Sequence, residues 1–177
     1  KDDGSGDYAD GEVRCYDYRL VTSTEWANGN RTDFLSSTGS PIIVTDGDTN
    51  LDASKKYWIQ KGNDINGEND SWFGWSLSFN GDGTILAIGS PMAGGSTSGN
   101  FYYAGGRVRT YKYGGNNWYL QGDTFNGTTN YDYKTQMGGS CCLSTDGTML
   151  CIGTLDDLDI VTGGGNQSEK GKVEILK

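Results

Sequence analysis

The chain contains one passage twice, and this repetition constrains its fold more than any other feature. Trp58-Ile-Gln-Lys-Gly62-Asn-Asp-Ile65-Asn66-Gly67 aligns with Trp118-Tyr-Leu-Gln-Gly122-Asp-Thr-Phe125-Asn126-Gly127, an offset of 60. Phe73-Gly74-Trp75-Ser76 then falls against Met137-Gly138-Gly139-Ser140 at an offset of 64. At the same offset, Asp82-Gly83-Thr84-Ile-Leu86-Ala-Ile88-Gly89 matches Asp146-Gly147-Thr148-Met-Leu150-Cys-Ile152-Gly153. Gly106-Arg-Val108 matches Gly171-Lys-Val173 at 65, and Gly11-Glu-Val13 echoes both. A repeat of this length is one supersecondary unit that must stack on its neighbours to bury a core.

Composition says which unit. Of 177 residues 29 are Gly and only 2 Pro, and Tyr and Trp are prominent among the apolar residues. Such a chain suits short strands and glycine turns, and no segment of ten residues carries a 3.6-residue apolar period. The expected class is all-β. Each copy reads as a Trp strand, a hairpin around Asp-Gly and a closing Gly-x-Val strand, which is the four-stranded antiparallel blade of a β-propeller. The expected division is residues 1–57 (the tail strand of a preceding blade plus an insertion), 58–113 (one blade) and 114–177 (a second). A β-sandwich with similar strands is the alternative. Two blades and a strand cannot close a ring, so the expectation is an incomplete propeller whose open edges invite further pairing.

The passage Phe73-Gly-Trp-Ser-Leu-Ser-Phe-Asn-Gly-Asp-Gly-Thr-Ile-Leu-Ala-Ile-Gly-Ser-Pro91, followed by Gly106-Arg-Val-Arg-Thr-Tyr111, resembles the FG-GAP propeller repeat of integrin α-chains and of bacterial and algal surface proteins. The resemblance covers most of 58–177 and residues 11–18. It implies the blade fold and a surface or adhesion setting. The second copy departs from it, with Met137 for the Phe and Gly153-Thr-Leu for the Gly-Ser-Pro. Where integrin-like blades carry a calcium loop, only Asn80-Gly-Asp-Gly83 stands here, so that metal site does not transfer.

Three of four cysteines surround the second Asp-Gly turn, in Cys141-Cys142-Leu-Ser-Thr-Asp-Gly-Thr-Met-Leu-Cys151. A three-residue loop places Cys141 opposite Cys151, and a two-residue loop places Cys142 there. Either facing pair is expected at a non-hydrogen-bonded site, within disulfide range. The favoured pattern is Cys141–Cys151 with Cys142–Cys15, stapling the N-terminal strand to the last blade. Four buried free thiols are the alternative. A zinc site is disfavoured, because there is no His and no second Cys-x-x-Cys.

The absence of His removes the usual nucleophilic triads. Glu68, Asp70, Asp156, Asp157 and Asp159 remain as carboxylates, and they read as solvated loop groups, so the chain is expected not to be an enzyme. Asp46, Asp48, Asn50 and Asp52 alternate like the opening of a calcium loop, but Leu51 stands where the turn wants Gly. They are the candidate Ca2+ ligands, against a plain polar turn. Trp26, Trp72, Tyr102, Tyr103, Tyr131 and Tyr133 fall in expected loops and are candidate platforms for glycans or protein partners.

A net charge of −9 argues against nucleic acid and anionic membrane surfaces. No apolar run is long enough to insert in a bilayer, and Lys1-Asp-Asp-Gly does not open like a secretory leader. The cysteines, with sequons at Asn30, Asn69, Asn126 and Asn166, point to a secreted or cell-surface protein, or else an organelle lumen. The resulting expectation is a non-enzymatic structural subunit or fragment that assembles with other chains, self or foreign, through its β-blades. The alternative is a carbohydrate-binding or adhesion module, calcium-dependent if the Asp46 loop binds.

Overall fold

A computed structural model describes residues 11–20, 34–35, 56–94, 104–130, 133–156 and 170–176, and among these every regular element is a strand. The chain forms two compact units, Lys1–Val13 with Ile65–Lys177, and Arg14–Asp64.

The larger unit holds the two copies of the hairpin. In the first, β6 (Ser76–Phe79), β7 (Ile85–Ser90), β8 (Arg107–Gly114) and β9 (Asn117–Asn126) form a four-stranded antiparallel sheet in sequence order. In the second, β12 (Ser140–Leu143), β13 (Leu150–Asp156) and β14 (Lys170–Leu176) form a three-stranded one. Two short pairs complete this unit: β1 (Glu12–Val13) with β5 (Ile65–Asn66), and β10 (Thr129–Asn130) with β11 (Tyr133–Lys134). The smaller unit is a sheet of β2 (Tyr16–Leu20), β4 (Lys56–Gln60) and β3 (Phe34–Leu35), with β4 in the middle.

The sequence repeat is reproduced bond for bond. Asn80 N–H donates to Ile85 O and Gly83 N–H to Asn80 O; Ser144 N–H donates to Met149 O and Gly147 N–H to Ser144 O. Asp82 Oδ1 accepts from Thr84 N–H and Oγ1–H, and Asp146 Oδ1 from the same groups of Thr148. Gly83 and Gly147 both adopt positive φ, the left-handed conformation that glycine takes without steric cost. Both hairpins therefore close with four-residue loops, neither the two- nor the three-residue loop expected.

One boundary differs from the period of the sequence. The Trp strand β9 pairs with β8, so it completes the sheet of the preceding hairpin and not of the following one. A tight Gly114–Asn117 connection explains this, since an antiparallel neighbour is the cheapest partner for a strand reached by so short a turn. The smaller unit repeats the arrangement. Tyr18 faces Trp58 as Tyr113 faces Trp118, with ring centroids 5.1 and 5.3 Å apart.

The two hairpin sheets pack face to face. Ala87 and Val108 from the first meet Leu150 and Ile152 from the second, with Met137 between them and Phe125, Cys141, Leu143 and Leu176 around the margin. Each fully buried aliphatic side chain contributes about 1.5–3 kcal/mol relative to exposure. Polar stitches fix the register: Ser76 Oγ–H donates to Gly138 O (2.8 Å), Leu143 N–H to Ser78 Oγ (2.9 Å) and Gly81 N–H to Thr145 O (2.8 Å). The architecture is all-β with several open antiparallel sheets.

Candidate functional site

The outer face of β12–β14 stands out. Because side chains alternate along a strand, Cys141, Leu143, Leu150, Ile152 and Leu176 turn to the core. Ser140, Cys142, Cys151, Val173 and Ile175 lie on the other face. There Val173 is 70% exposed and Ile175 63%, with Met149 of the adjoining turn also exposed. Strand β14 ends the sheet, so the edge away from β13 has no strand partner among the described residues. Its counterpart β8 has one, in β9.

Sequence reasoning placed the cysteines on this hairpin, and the register decides between the readings. Cys142 faces Cys151, whereas Cys141 faces Ile152, so the favoured Cys141–Cys151 pairing gives way to the other register. The cause is the four-residue loop. Since Ser144 N–H donates to Met149 O, alternation makes Cys142/Cys151 a hydrogen-bonded pair, not the non-hydrogen-bonded one expected. Such pairs hold Cα atoms about 5.5 Å apart, still within disulfide range. All four cysteines are free thiols in the structure. Cys15 is buried in the smaller unit, and burial, opposed by Lys61 and reinforced by Asp17, pushes its thiol up to about 11. Burial also raises the Cys141 thiol, against its Ser76 contact.

The loop from Asn66 to Trp75 is the second feature. Glu68 is clasped by Arg107 and Arg109, one guanidinium on each carboxylate oxygen. Partial burial works to raise its pKa, but the hydrogen bonds and charges of the two arginines prevail and hold it below the usual carboxylate range. Arg107 Nε–H also donates to Asn126 Oδ1 at 2.7 Å, so this sequon Asn belongs to the ion network. Asn69 is exposed. Asp70 and Trp72 both take positive φ, an uncommon state for non-Gly residues and a strained one for a bulky side chain. The strain turns Trp72, 40% exposed, onto Trp75, 62% exposed, as a stacked pair 5.1 Å apart. Trp75 was not singled out from the sequence, because it sits directly before the hairpin strand and no sequence signal marks its ring as exposed.

The remaining expectations meet the structure unevenly. Asp46, Asp48, Asn50, Asp52, Asn30, Asn166, Trp26, Tyr102, Tyr103 and Tyr131 lie outside the described residues, as does the side chain of Tyr133. Among the described residues no His/Cys/Asp/Glu cluster of metal-binding size occurs. Nor is any helix there long and apolar enough to cross a membrane. The cleft between the hairpin sheets, lined by Ile85, Thr110, Gln121 and Leu150 among others, is about 160 Å³, below the usual size of a ligand pocket. No family model, curated protein or solved structure matches the chain.

Proposed function

We propose that the chain is a non-enzymatic structural subunit of an extracellular or cell-surface assembly, and that it joins other chains through propeller-type β-blades. The observation that carries this reading is the outer side of the last sheet, where Val173 and Ile175 stand exposed beside an open strand edge. Open edges and contiguous apolar faces favour further pairing. The resemblance of Phe73–Pro91 to FG-GAP repeats supports a surface setting. The non-enzymatic part draws on Glu68: a carboxyl held ionised by two arginines is a poor general acid at neutral pH. A charge of −9 keeps the free subunit soluble. The native mass of the particle in its source, with chain length read by mass spectrometry, tests the reading. A particle much heavier than one chain supports it, and a lone monomer overturns it.

One observation favours a second reading, a carbohydrate-binding or adhesion module with or without Ca2+. The stacked, exposed Trp72–Trp75 pair is a flat apolar platform of the kind sugar rings cover. Quenching or shift of tryptophan fluorescence by glycans, lost in Trp75→Ala, would support it; an unchanged spectrum across a glycan panel would remove it.

A further inference from the structure

We propose that a second copy of this chain seats its β2–β4 sheet on the outer face of β12–β14, as β12–β14 itself is seated on β6–β9. The inference rests on the assembly reading above and names the partner.

The repeat supplies the first argument. The face of β6–β9 that receives the next sheet carries Ser76, Ser78, Ala87, Gly89 and Val108. At the matching positions of β12–β14 stand Ser140, Cys142, Cys151, Gly153 and Val173, and these form its exposed face. The receiving surface therefore occurs twice in the larger unit, once covered and once bare. The arriving surface recurs as well. Leu176 of the arriving face occupies the position of Tyr111 in the first hairpin sheet, and of Tyr16 in β2. Tyr16, Tyr18, Leu20 and Trp58 share one face of the β2–β4 sheet, where Tyr18 is 47% exposed and Leu20 and Trp58 are exposed too. On the equivalent face of the first hairpin sheet Tyr111 and Trp118 are buried, although Leu77, Phe79 and Leu120 beside them are exposed. One chain thus bears a bare receiving face and a bare arriving face.

Glycine supplies the second, independent argument. At Gly11 a Cβ would run into the backbone of Phe73, and at Gly106 into the backbone of Met137, and both residues take positive φ, so the pressing turn and the backbone conformation each call for glycine. Gly171 holds the same place in the repeat without a positive φ, and among the described residues the nearest atom to its would-be Cβ is Thr154 O at 3.9 Å. Nothing described within the chain requires glycine there; a docked turn would. Because the two faces differ, the contact is head-to-tail, which closes into a ring or runs on as a filament.

Sedimentation velocity on the 177-residue chain tests this with Val173→Asp on the receiving face and Tyr18→Asp on the arriving face, each checked for native circular dichroism. Ile175→Asp and Leu20→Asp stand in should either fail to fold. The expected result is a wild-type mass that climbs with concentration beyond the dimer, while each variant alone stays monomeric. Mixed together, the two variants form a 1:1 dimer that grows no further, since the pair retains one intact face of each kind. Association that survives both substitutions, or that only Val173→Asp abolishes, overturns the head-to-tail contact. A wild type that remains monomeric overturns the second copy as partner, whereas the assembly reading falls only if the native particle also weighs one chain.

Discussion

At the scale of single residues, charge and burial set different tasks for groups that look alike in sequence. Glu68 has a folded pKa below its ordinary value, so its contribution to stability is present above the unfolded pKa and fades as pH falls through the folded one. Its side chain is about half exposed to solvent (48%), which screens the pair. Glu68→Gln is therefore expected to cost about 0.5–1 kcal/mol at pH 7. That difference should vanish in strong acid, where both chains carry a neutral group; urea unfolding at the two pH values checks it, and a penalty that persists in acid would assign the loss to packing. The cysteines divide similarly. Cys15 and Cys141 have thiols raised by burial, whereas Cys142 is exposed. Since the thiolate is the reactive form, iodoacetamide at pH 8 should modify Cys142 in the folded chain and reach Cys15 and Cys141 only after denaturation. Labelling of Cys15 as fast as Cys142 would contradict the burial.

Elements are joined through glycines, and two that are equivalent in the repeat should respond differently to the same change. Gly106→Ala puts a methyl into the Met137 backbone at a φ of +77, and a loss on the order of 2–4 kcal/mol is expected. Gly171→Ala meets only an ordinary contact with Thr154 O among the described residues, at a φ that is not positive, and should leave the melting of the isolated chain within the scatter of surface substitutions. Equal losses at both sites would mean that Gly171 is pinned within its own chain. The repeat of elements was legible beforehand because Asp-Gly-Thr turns, Gly-x-Val strands and Trp strands recur with fixed spacing. Less legible was where each strand goes. The Trp strand could close either its own hairpin or the previous one, and only the tight Gly114–Asn117 connection selects the latter. Loop length was ambiguous for a similar reason: two-, three- and four-residue loops all accommodate Gly147, while the bond from Ser144 N–H to Met149 O that picks among them depends on register. That one bond moved the facing cysteine from 141 to 142. The Trp72–Trp75 stack was hidden because it requires two non-standard backbone conformations, at Asp70 and Trp72, which no local pattern announces.

For the whole molecule, the proposed assembly has open antiparallel sheets awaiting neighbours, with contacts that run through strands and not through loops. Amide hydrogen exchange reports on this directly, because pairing and covering a strand slow the exchange of its backbone N–H groups. The measurement compares native assembled material with the dissociated chain. Slower exchange in the assembly is expected for Lys170–Leu176, whose outer edge has no strand partner among the described residues and whose Val173 and Ile175 are exposed. Tyr16–Leu20, which carries the exposed Tyr18 and Leu20, should follow. The inner strands Ile85–Ser90 and Arg107–Gly114, already paired on both sides, should not change. Protection confined to loops such as that around Trp72 and Trp75, with β14 exchanging at the same rate in both states, would contradict assembly through strands.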